Sequence, residues 1–310
     1  MEVKRLVILG GGPSGYTAAL YAARAGLEPL LLERLAAGGQ MALTPLIENY
    51  PGFPDGIDGF TLGDAMRRGA EQHGAVSEST EVLSCLLTES PKRIVTDSGE
   101  YLADAVIIAT GAEHRHLGLP EEERFLGRGV GYCATCDGML YRGRRVTVVG
   151  GGNTAVTDAL YLAGIAEHVT LIHRRASLRA ERRLAEQLLA KPNVTVLWER
   201  EVVGLSGDTA LSSVTLRSTE AGEEEVLETD ALFISIGQTP KTSLFVGQLA
   251  LDEAGYLVAG EDTVTSLPGV FAAGDVRTKP LRQIVTAVAD GATAAHMAEA
   301  YLNALAAGQK

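Results

Sequence analysis

The sequence predicts an α/β fold in two domains, each built on one copy of the same strand–turn–helix unit. The segments RLVILGGGPSGYTAALYAARAG, which begins at Arg5, and RVTVVGGGNTAVTDALYLAGIA, which begins at Arg145, align without a gap. Each runs from a short apolar strand through three glycines into a helix, and repeats this similar imply two copies of one supersecondary unit. The length of 310 residues also exceeds what a single core comfortably holds.

The glycine spacing identifies this unit as the dinucleotide-binding βαβ of Rossmann-like domains. The first copy reads GxGxxG from Gly10 to Gly15, and the second reads GxGxxA from Gly150 to Ala155. In such a turn the backbone approaches a pyrophosphate, whose charge faces the N-terminus of the helix. The alternative is a pair of plain turns that bind nothing, but six glycines at one spacing lose backbone entropy without a return in packing.

The end of the second strand in each unit distinguishes two ligands. The strand EPLLLE ends at Glu33, an acid that can accept hydrogen bonds from a ribose 2′-OH. The strand HVTLIH ends at His173 and is followed by Arg174, Arg175 and later Arg179, whose guanidinium groups suit a 2′-phosphate. The second unit is therefore predicted to bind NADP and the first a dinucleotide with a free ribose. A solvated basic helix face is the alternative, and it suits the last two arginines of HRRASLRAERR best.

Three apolar strands and a C-terminal helix complete the predicted fold. Residues 104–115, 230–240 and 267–276 read as buried strands that run into Gly-containing turns. The segment PLRQIVTAVADGATAAHMAEAYLNAL reads as a long amphipathic helix, with Gly291 as the candidate position for a break.

The motif CATC places two residues between Cys133 and Cys136, and Cys85 is the third cysteine of the chain. A disulfide within this motif closes a very short loop, so it is a poor structural staple but a usable redox switch. Half a zinc site is the competing interpretation, but structural zinc usually takes four ligands. Neither Cys85 nor the six histidines have ligand spacing near the motif, so no metal is predicted. Cys85 is interpreted as a buried core residue.

The composition and the apolar pattern of the sequence indicate which classes of partner are disfavoured and in which compartment the protein is expected. The net charge of −12 disfavours nucleic acid, because an acidic chain repels phosphate backbones. No apolar run approaches the roughly 20 residues of a spanning helix, so no membrane contact is predicted. The N-terminal apolar run leads into a glycine turn without a small-residue cleavage site, which is unlike a signal peptide. These features predict a cytoplasmic protein, whose thiols are kept reduced.

Several sequence blocks stand in a specific order and spacing along nearly the whole chain: GGGPSG, GGQM, IENYPGFP, ATGA, CATCDG, GGGNTA, HRRASLRAE and GVFAAGDV…LRQIVTAVADG. In this order and spacing the chain resembles the low-molecular-weight thioredoxin reductases of bacteria, archaea and plants. The resemblance implies a homodimeric flavoprotein that uses FAD and NADPH to reduce thioredoxin or a thioredoxin-like protein. It also implies an NADP domain inserted into a split FAD domain, with boundaries at 1–114, 115–242 and 243–310.

The resemblance further implies the roles of individual residues. Cys133 and Cys136 would form the disulfide that accepts two electrons from reduced FAD, and Asp137 would protonate a leaving thiolate. FAD would contact Gly10, Gly12, Pro13, Ser14, Gly15, Glu33, Gly39, Gln40, Asn49, Gly111, Gly274, Asp275, Arg282 and Gln283. NADPH would contact Gly150, Gly152, Asn153, Thr154, His173, Arg174, Arg175 and Arg179.

The order of the motifs along the chain predicts a movement of the inserted domain. The redox pair and the NADP unit share the inserted segment, while the FAD motifs lie on either side of it. If the nicotinamide and the disulfide use one face of the flavin, they cannot occupy it together. The inserted domain is therefore predicted to swivel between half-reactions.

The chain departs from the family pattern at two places. Some members carry two acids where this chain has Thr157 and Asp158. After CATCDG the family commonly has aromatic residues that receive the partner, whereas Met139 and Leu140 stand here and would keep an apolar, adaptable surface. The alternative for Met139 and Leu140 is that they are ordinary core residues. Arg128 matches a family position that contacts thioredoxin, and an exposed structural arginine is its alternative.

Other activities fit the sequence less well. Relatives that oxidise small dithiols with O₂, and ferredoxin-driven reductases, would dispense with the arginine block. A ferredoxin–NADP reductase would lack Cys133 and Cys136. A flavoprotein sensor that signals by domain rotation would not need an intact Cys-x-x-Cys-Asp.

Overall fold

The computed structural model describes residues 2–34, 37–44 and 46–308, which form two compact units. The first unit comprises the chain up to Glu113 and from Thr239 onward, and the second comprises His114–Gln238. Two short strands, β7 (Ala112–His114) and β16 (Gln238–Pro240), carry the chain across these boundaries. Within the described ranges, no helix combines the length and the apolar character needed to cross a membrane.

The first unit is built on a seven-stranded sheet. Its strands are β1 (Val3–Leu9), β2 (Leu30–Glu33), β3 (Val76–Ser79), β4 (Val82–Leu86), β5 (Lys92–Thr96), β6 (Glu100–Ile108) and β17 (Val270–Ala272). The order is β3-β2-β1-β6-β5-β4, with β17 also paired to β6. The strands β3, β2, β1, β6 and β17 run parallel, and β5 and β4 continue as an antiparallel hairpin. The parallel strands therefore deliver their carboxyl ends to one edge, where ligands bind in such sheets.

The helices α1 (Pro13–Arg24), α2 (Gly59–Glu71) and α7 (Ile284–Gly308) accompany this sheet. Alanines such as Ala18, Ala22, Ala294 and Ala298 are fully buried in the shared core of α1 and α7, because small side chains let helices pack closely. Short 3-10 helices span Gly39–Leu43, Ser243–Phe245 and Gly274–Val276.

The expected break at Gly291 is wrong, because α7 runs through it as one continuous helix of 25 residues. A Cβ added at Gly291 would lie 2.2 Å from the carbonyl oxygen of Ser14 in α1. The glycine therefore serves the close approach of two helices and does not end one.

The second unit has a five-stranded parallel sheet in the order β11-β10-β9-β15-β8, and a separate three-stranded antiparallel sheet in the order β12-β13-β14. The strands are β8 (Val130–Gly131), β9 (Arg145–Val149), β10 (His168–His173), β11 (Val194–Trp198), β12 (Arg200–Gly207), β13 (Leu211–Ser218), β14 (Glu224–Glu228) and β15 (Ala231–Ile234). The helices are α3 (Glu122–Phe125), α4 (Ala134–Asp137), α5 (Asn153–Ala163) and α6 (Arg182–Leu189), with a 3-10 helix at Gly138–Tyr141. The predicted α/β fold with two Rossmann-like sheets is confirmed.

Candidate active site

The first glycine turn joins β1 to α1 and leaves its backbone open. A Cβ added at Gly10 would lie 2.5 Å from the carbonyl oxygen of Ala109, and one added at Gly15 would lie 1.8 Å from that of Gly10. A Cβ at Gly12 would meet nothing within 4 Å. Packing thus requires Gly10 and Gly15, whereas Gly12 presents bare backbone where Pro13 begins the helix.

Two predicted residues from other segments lie against this turn. A carboxylate oxygen of Glu33, at the end of β2, accepts a hydrogen bond of 2.5 Å from the backbone nitrogen of Gly11. A Cβ at Gly39 would lie 3.3 Å from the Cα of Gly12, so the 3-10 helix Gly39–Leu43 begins beside the turn. Gln40 follows it and is exposed. The predicted acid and the GGQM motif are therefore brought to the same place.

Gly274 and Asp275 reach this edge from β17. A Cβ at Gly274 would lie 2.6 Å from the hydroxyl of Ser14, so Gly274 packs on the first turn of α1. The Oδ1 atom of Asp275 is buried and has no hydrogen-bond partner within the described part of the chain. Burial raises the pKa of Asp275, although the cations of Lys279 and Arg282 act to lower it. A buried acceptor without a partner is the feature that a ligand hydroxyl would satisfy.

The remaining predicted residues of the first unit lie in three places. Asn49 donates a hydrogen bond of 3.0 Å from its Nδ2 to the Oε1 of Gln283, although the two are far apart in the chain. The guanidinium of Arg282 lies 3.8 Å from the ring centroid of Tyr256, which fixes the segment that leads into α7. Gly111 follows the end of β6 with a φ of 72°. The open turn, the acid at the strand end and the orphaned carboxylate together fit a dinucleotide.

The second glycine turn repeats this geometry between β9 and α5. A Cβ at Gly150 would lie 2.3 Å from a backbone oxygen, whereas one at Gly152 would meet nothing within 4 Å. Asn153 begins α5, and its Oδ1 accepts a hydrogen bond of 2.8 Å from the backbone nitrogen of Glu181. Thr154, the next residue, is exposed. The side chain of Asn153 therefore ties the N-terminus of α5 to that of α6.

Three exposed arginines follow β10. No carboxylate of the described residues lies within ion-pair distance of Arg174, Arg175 or Arg179. The backbone nitrogen of Arg179 donates a 2.7 Å hydrogen bond to the carbonyl of Gly151, which anchors the arginine loop to the glycine turn. Burial lowers the pKa of His173, and the three guanidinium charges lower it further. The neutral ring fills the space that a Cβ of Gly151 would take, so the structure places His173 beneath the turn.

Cys133 and Cys136 form a disulfide with an S–S distance of 2.04 Å, as the sequence predicts. Cys133 caps the one-turn helix α4, and both cysteines are half-buried. The Sγ of Cys133 lies 3.5 Å from the hydroxyl of Thr135. Asp137 ends the helix close to Tyr141, whose pKa is raised by burial and also by this carboxylate. The predicted redox pair and acid therefore lie within one helical turn.

The surface after the disulfide is apolar. Met139 is 44% exposed and Leu140 is 57% exposed, so the alternative that both are core residues is wrong. Arg128 is also exposed. By contrast, Cys85 is buried, as predicted, and burial raises the pKa of its thiol to about 12.

Metal ligands do not cluster in the described ranges. Within residues 2–34, 37–44 and 46–308, no group of three or more His, Cys, Asp or Glu side chains could hold a metal ion.

Sequence reasoning missed a buried ion network beside Gly274. The carboxylate of Asp290 accepts hydrogen bonds of 2.9 Å from the backbone nitrogen of Gly274, 2.7 Å from Arg277 and 2.8 Å from Lys279. Although burial alone raises the pKa of Asp290, the bonds from the two cations hold it below its ordinary value. A single acid in the apolar run VTAVADGATAA was the available signal, since a buried charge needs partners.

Comparison with known proteins adds four findings. Residues 4–291 match the family described as pyridine nucleotide-disulphide oxidoreductase. A thioredoxin reductase from Streptomyces clavuligerus is 47% identical over 98% of this chain and 96% of its own length. A Pseudomonas fluorescens protein named glucosaminate ammonia-lyase is 45% identical over 97% and 96%. The crystal structure of thioredoxin reductase from Streptococcus pyogenes MGAS5005 matches with a TM-score of 0.91 at 40% identity, covering 96% of this chain and 98% of that one.

Proposed function

This chain belongs to the pyridine nucleotide-disulphide oxidoreductase family, and we propose that it is an NADPH-dependent thioredoxin reductase. The Cys133–Cys136 disulfide carries this proposal. It lies in the same unit as the second open glycine turn and three exposed arginines that have no acidic partner among the described residues. A disulfide in the same unit as an NADP-type turn is what a reductase needs to pass electrons from a nicotinamide to sulfur.

FAD is proposed for the first unit. The bare backbone at Gly12, the carboxylate of Glu33 and the orphaned Oδ1 of Asp275 support this assignment. When bound, FAD supplies two-electron chemistry that links a nicotinamide to a disulfide. The residues proposed to hold it are Gly10, Gly12, Pro13, Ser14, Gly15, Glu33, Gly39, Gln40, Asn49, Gly111, Gly274, Asp275, Arg282 and Gln283.

NADPH is proposed for the second unit. The exposed guanidinium groups of Arg174, Arg175 and Arg179 can each donate charged hydrogen bonds to a 2′-phosphate. His173 is neutral in this setting, so its contribution is the shape of the turn, and the positive charge comes from the arginines. The other proposed contacts are Gly150, Gly152, Asn153 and Thr154.

The reduced pair would act on a partner by thiol–disulfide exchange. One thiolate of Cys133 or Cys136 attacks a sulfur of the partner's disulfide and forms a mixed disulfide. The second thiolate then attacks the enzyme sulfur of this mixed disulfide, so that its bond to the partner breaks, the internal disulfide forms again and the partner leaves with two electrons and two protons. Asp137, at the end of the same helical turn, is proposed to protonate a leaving thiolate. The exposed Met139 and Leu140 offer an apolar surface for a thioredoxin-like partner.

The test is anaerobic oxidation of NADPH, followed by absorbance, with and without oxidised thioredoxin. We expect rapid loss of NADPH only when thioredoxin is present, little loss of NADH, and no turnover by Cys133→Ser. Glucosaminate is added in a parallel assay because one relative is named glucosaminate ammonia-lyase. Release of ammonia without oxidation of NADPH by thioredoxin would overturn the reductase proposal.

Assembly and location are part of the same proposal. A cytoplasmic homodimer fits a reductase whose thiol pair must cycle in a reducing compartment, and sedimentation of the purified protein tests the dimer. The swivel of the inserted domain stays a prediction. A crosslink that locks the two units while both half-reactions continue would contradict it.

A further inference from the structure

Tyr132, the residue immediately before Cys133, is held by a polar cluster that the function above does not use. Its hydroxyl donates a hydrogen bond to the Oε1 of Glu122. The Nδ1 of His116 lies 2.7 Å from the Tyr132 oxygen and 3.1 Å from the same carboxylate oxygen. His114 stacks on the ring face with 5.0 Å between centroids. The phenol is therefore fixed at its hydroxyl and across its face.

The anchor of this cluster is rigid. Glu122 is only 3% exposed, and its other oxygen accepts a hydrogen bond of 3.0 Å from the backbone nitrogen of Gly118. Burial, reinforced by the bond to Glu122, raises the pKa of Tyr132, so the phenol stays protonated and keeps donating. A buried carboxylate with both oxygens engaged is costly to disrupt.

The position of Tyr132 in the chain lets this cluster act on the backbone next to the redox pair. It is the only residue between Gly131, which ends β8, and Cys133, which caps α4. The strand β8 is two residues long: it pairs with Leu232 and Phe233 of β15, and its Val130 forms a single bridge with Leu126. So short a strand constrains the following backbone weakly, and the side chain of Tyr132 supplies a second attachment directly before the first sulfur.

We propose that Tyr132 is a positioning residue for the redox pair, acting through Glu122 and His116. By fixing the backbone ahead of Cys133, it keeps the two sulfurs of the dithiol within reach of each other and so favours the disulfide. The inference rests on the proposed redox role of this pair. In exchange with oxidised dithiothreitol, the Cys133–Cys136 bond forms while the dithiothreitol disulfide is reduced, with two electrons and two protons transferred.

The experiment measures this equilibrium directly in the purified holoenzyme. Wild type and Tyr132→Phe are equilibrated anaerobically in dithiothreitol redox buffers, free thiols are alkylated, and the peptide with both cysteines is quantified by mass spectrometry. We expect Tyr132→Phe to lower the constant for disulfide formation about tenfold, which corresponds to a potential about 30 mV less negative. A change below threefold overturns the proposal.

Tyr101→Phe is the matched control. The hydroxyl of Tyr101 likewise donates to a carboxylate, that of Glu78, but in the first unit. The Tyr101→Phe variant should lose a similar amount of folding stability, and its disulfide equilibrium should match that of wild type. An equal shift in this control would overturn the proposal, because general destabilisation would then explain both.

A second variant keeps the test decisive. If Tyr132→Phe does not fold, as judged by circular dichroism, His116→Ala replaces it at an exposed position. A shift of twofold or more in the same direction supports the proposal, and a smaller one overturns it. The assay needs neither NADPH nor thioredoxin, so failure of the reductase activity in wild type is a separate result.

Discussion

At the scale of single residues, Arg174 and Arg175 offer a direct test of nucleotide choice. Both are exposed without an acidic partner in the described part of the chain, so each can turn to a 2′-phosphate. Replacing both by methionine should raise the KM for NADPH about 100-fold or more, because each arginine can donate a hydrogen bond to a charged group and one such bond contributes about 1.5–3 kcal/mol. The KM for NADH should not change. Steady-state kinetics with both nucleotides measures this.

The matched control is Arg182→Met. Arg182 donates a hydrogen bond of 2.7 Å to Glu186 one turn along α6, so it is already engaged. Its loss should leave the KM for NADPH within about twofold, since exposed pairs of this kind contribute little. An equal effect in Arg182→Met would show that general charge, rather than the loop after β10, attracts the nucleotide.

Asp158 predicts a pH dependence of stability. Burial raises its pKa from 3.8 to about 6, although a hydrogen bond of 2.5 Å from the hydroxyl of Ser235 acts to lower it. The folded chain then binds a proton more tightly than the unfolded chain does, so this group destabilises the fold as pH rises from about 4 to 6. The loss is on the order of 2 kcal/mol, because one pKa unit corresponds to about 1.4 kcal/mol and burial is incomplete.

Asp158→Asn should remove that dependence. The amide oxygen can still accept the hydrogen bond from Ser235 but carries no charge. Urea unfolding should show the variant about 2 kcal/mol more stable than wild type at pH 7.5 and nearly equal at pH 4. A variant that is less stable at both values would mean that the carboxylate is ionised and paired in the folded state.

At the scale of elements, the packing of α1 against α7 depends on Gly291. A Cβ there would lie 2.2 Å from the carbonyl oxygen of Ser14, which belongs to the backbone of α1 and cannot easily move. Gly291→Ala should therefore destabilise the protein by about 1–3 kcal/mol through overpacking, despite the better helix propensity of alanine. The midpoint of thermal unfolding measures this loss.

Gly69 in α2 is the control for Gly291. It also lies inside a helix, but a Cβ at this position would meet nothing within 4 Å. Gly69→Ala should therefore stabilise the protein by about 0.5–1 kcal/mol. Opposite signs for the two substitutions would establish that helix contact, and not helix propensity, decides the role of Gly291.

The individual helices and turns also show which features of the fold could be predicted from the sequence. The glycine turns, the acid at Glu33 and the Cys133–Cys136 pair were predictable, because each depends on a few consecutive residues with one spacing. The continuity of α7 through Gly291 was not, since it depends on a helix that is remote in the chain. The same limit applies to His173, whose burial beneath Gly151 follows from how the loop after β10 folds back.

At the scale of the whole molecule, long-range polar contacts organise the proposed FAD site. Asn49 bonds Gln283, and Asp290 of α7 reaches back to the nitrogen of Gly274. No local pattern predicts such pairs, because their members come together only after the sheet and helices have packed. The residues around Asp275 are therefore held by contacts that the motif GVFAAGDV does not contain.

The last prediction concerns this network. Asp290→Asn removes the hydrogen-bonded carboxylate of Arg277, which is 2% exposed and keeps the longer pair of 3.8 Å with the exposed Glu261, and breaking a buried ion pair from one side typically destabilises a protein by about 3–5 kcal/mol. The Gly274–Asp275 turn should loosen as well, so the dissociation constant for FAD should rise about tenfold or more. Thermal unfolding and the ratio of flavin to protein absorbance measure the two effects. Arg217→Met, which breaks the exposed pair with Glu201, should change neither by much. Unchanged flavin affinity in a destabilised Asp290→Asn would show that the network supports the fold alone and does not position the cofactor.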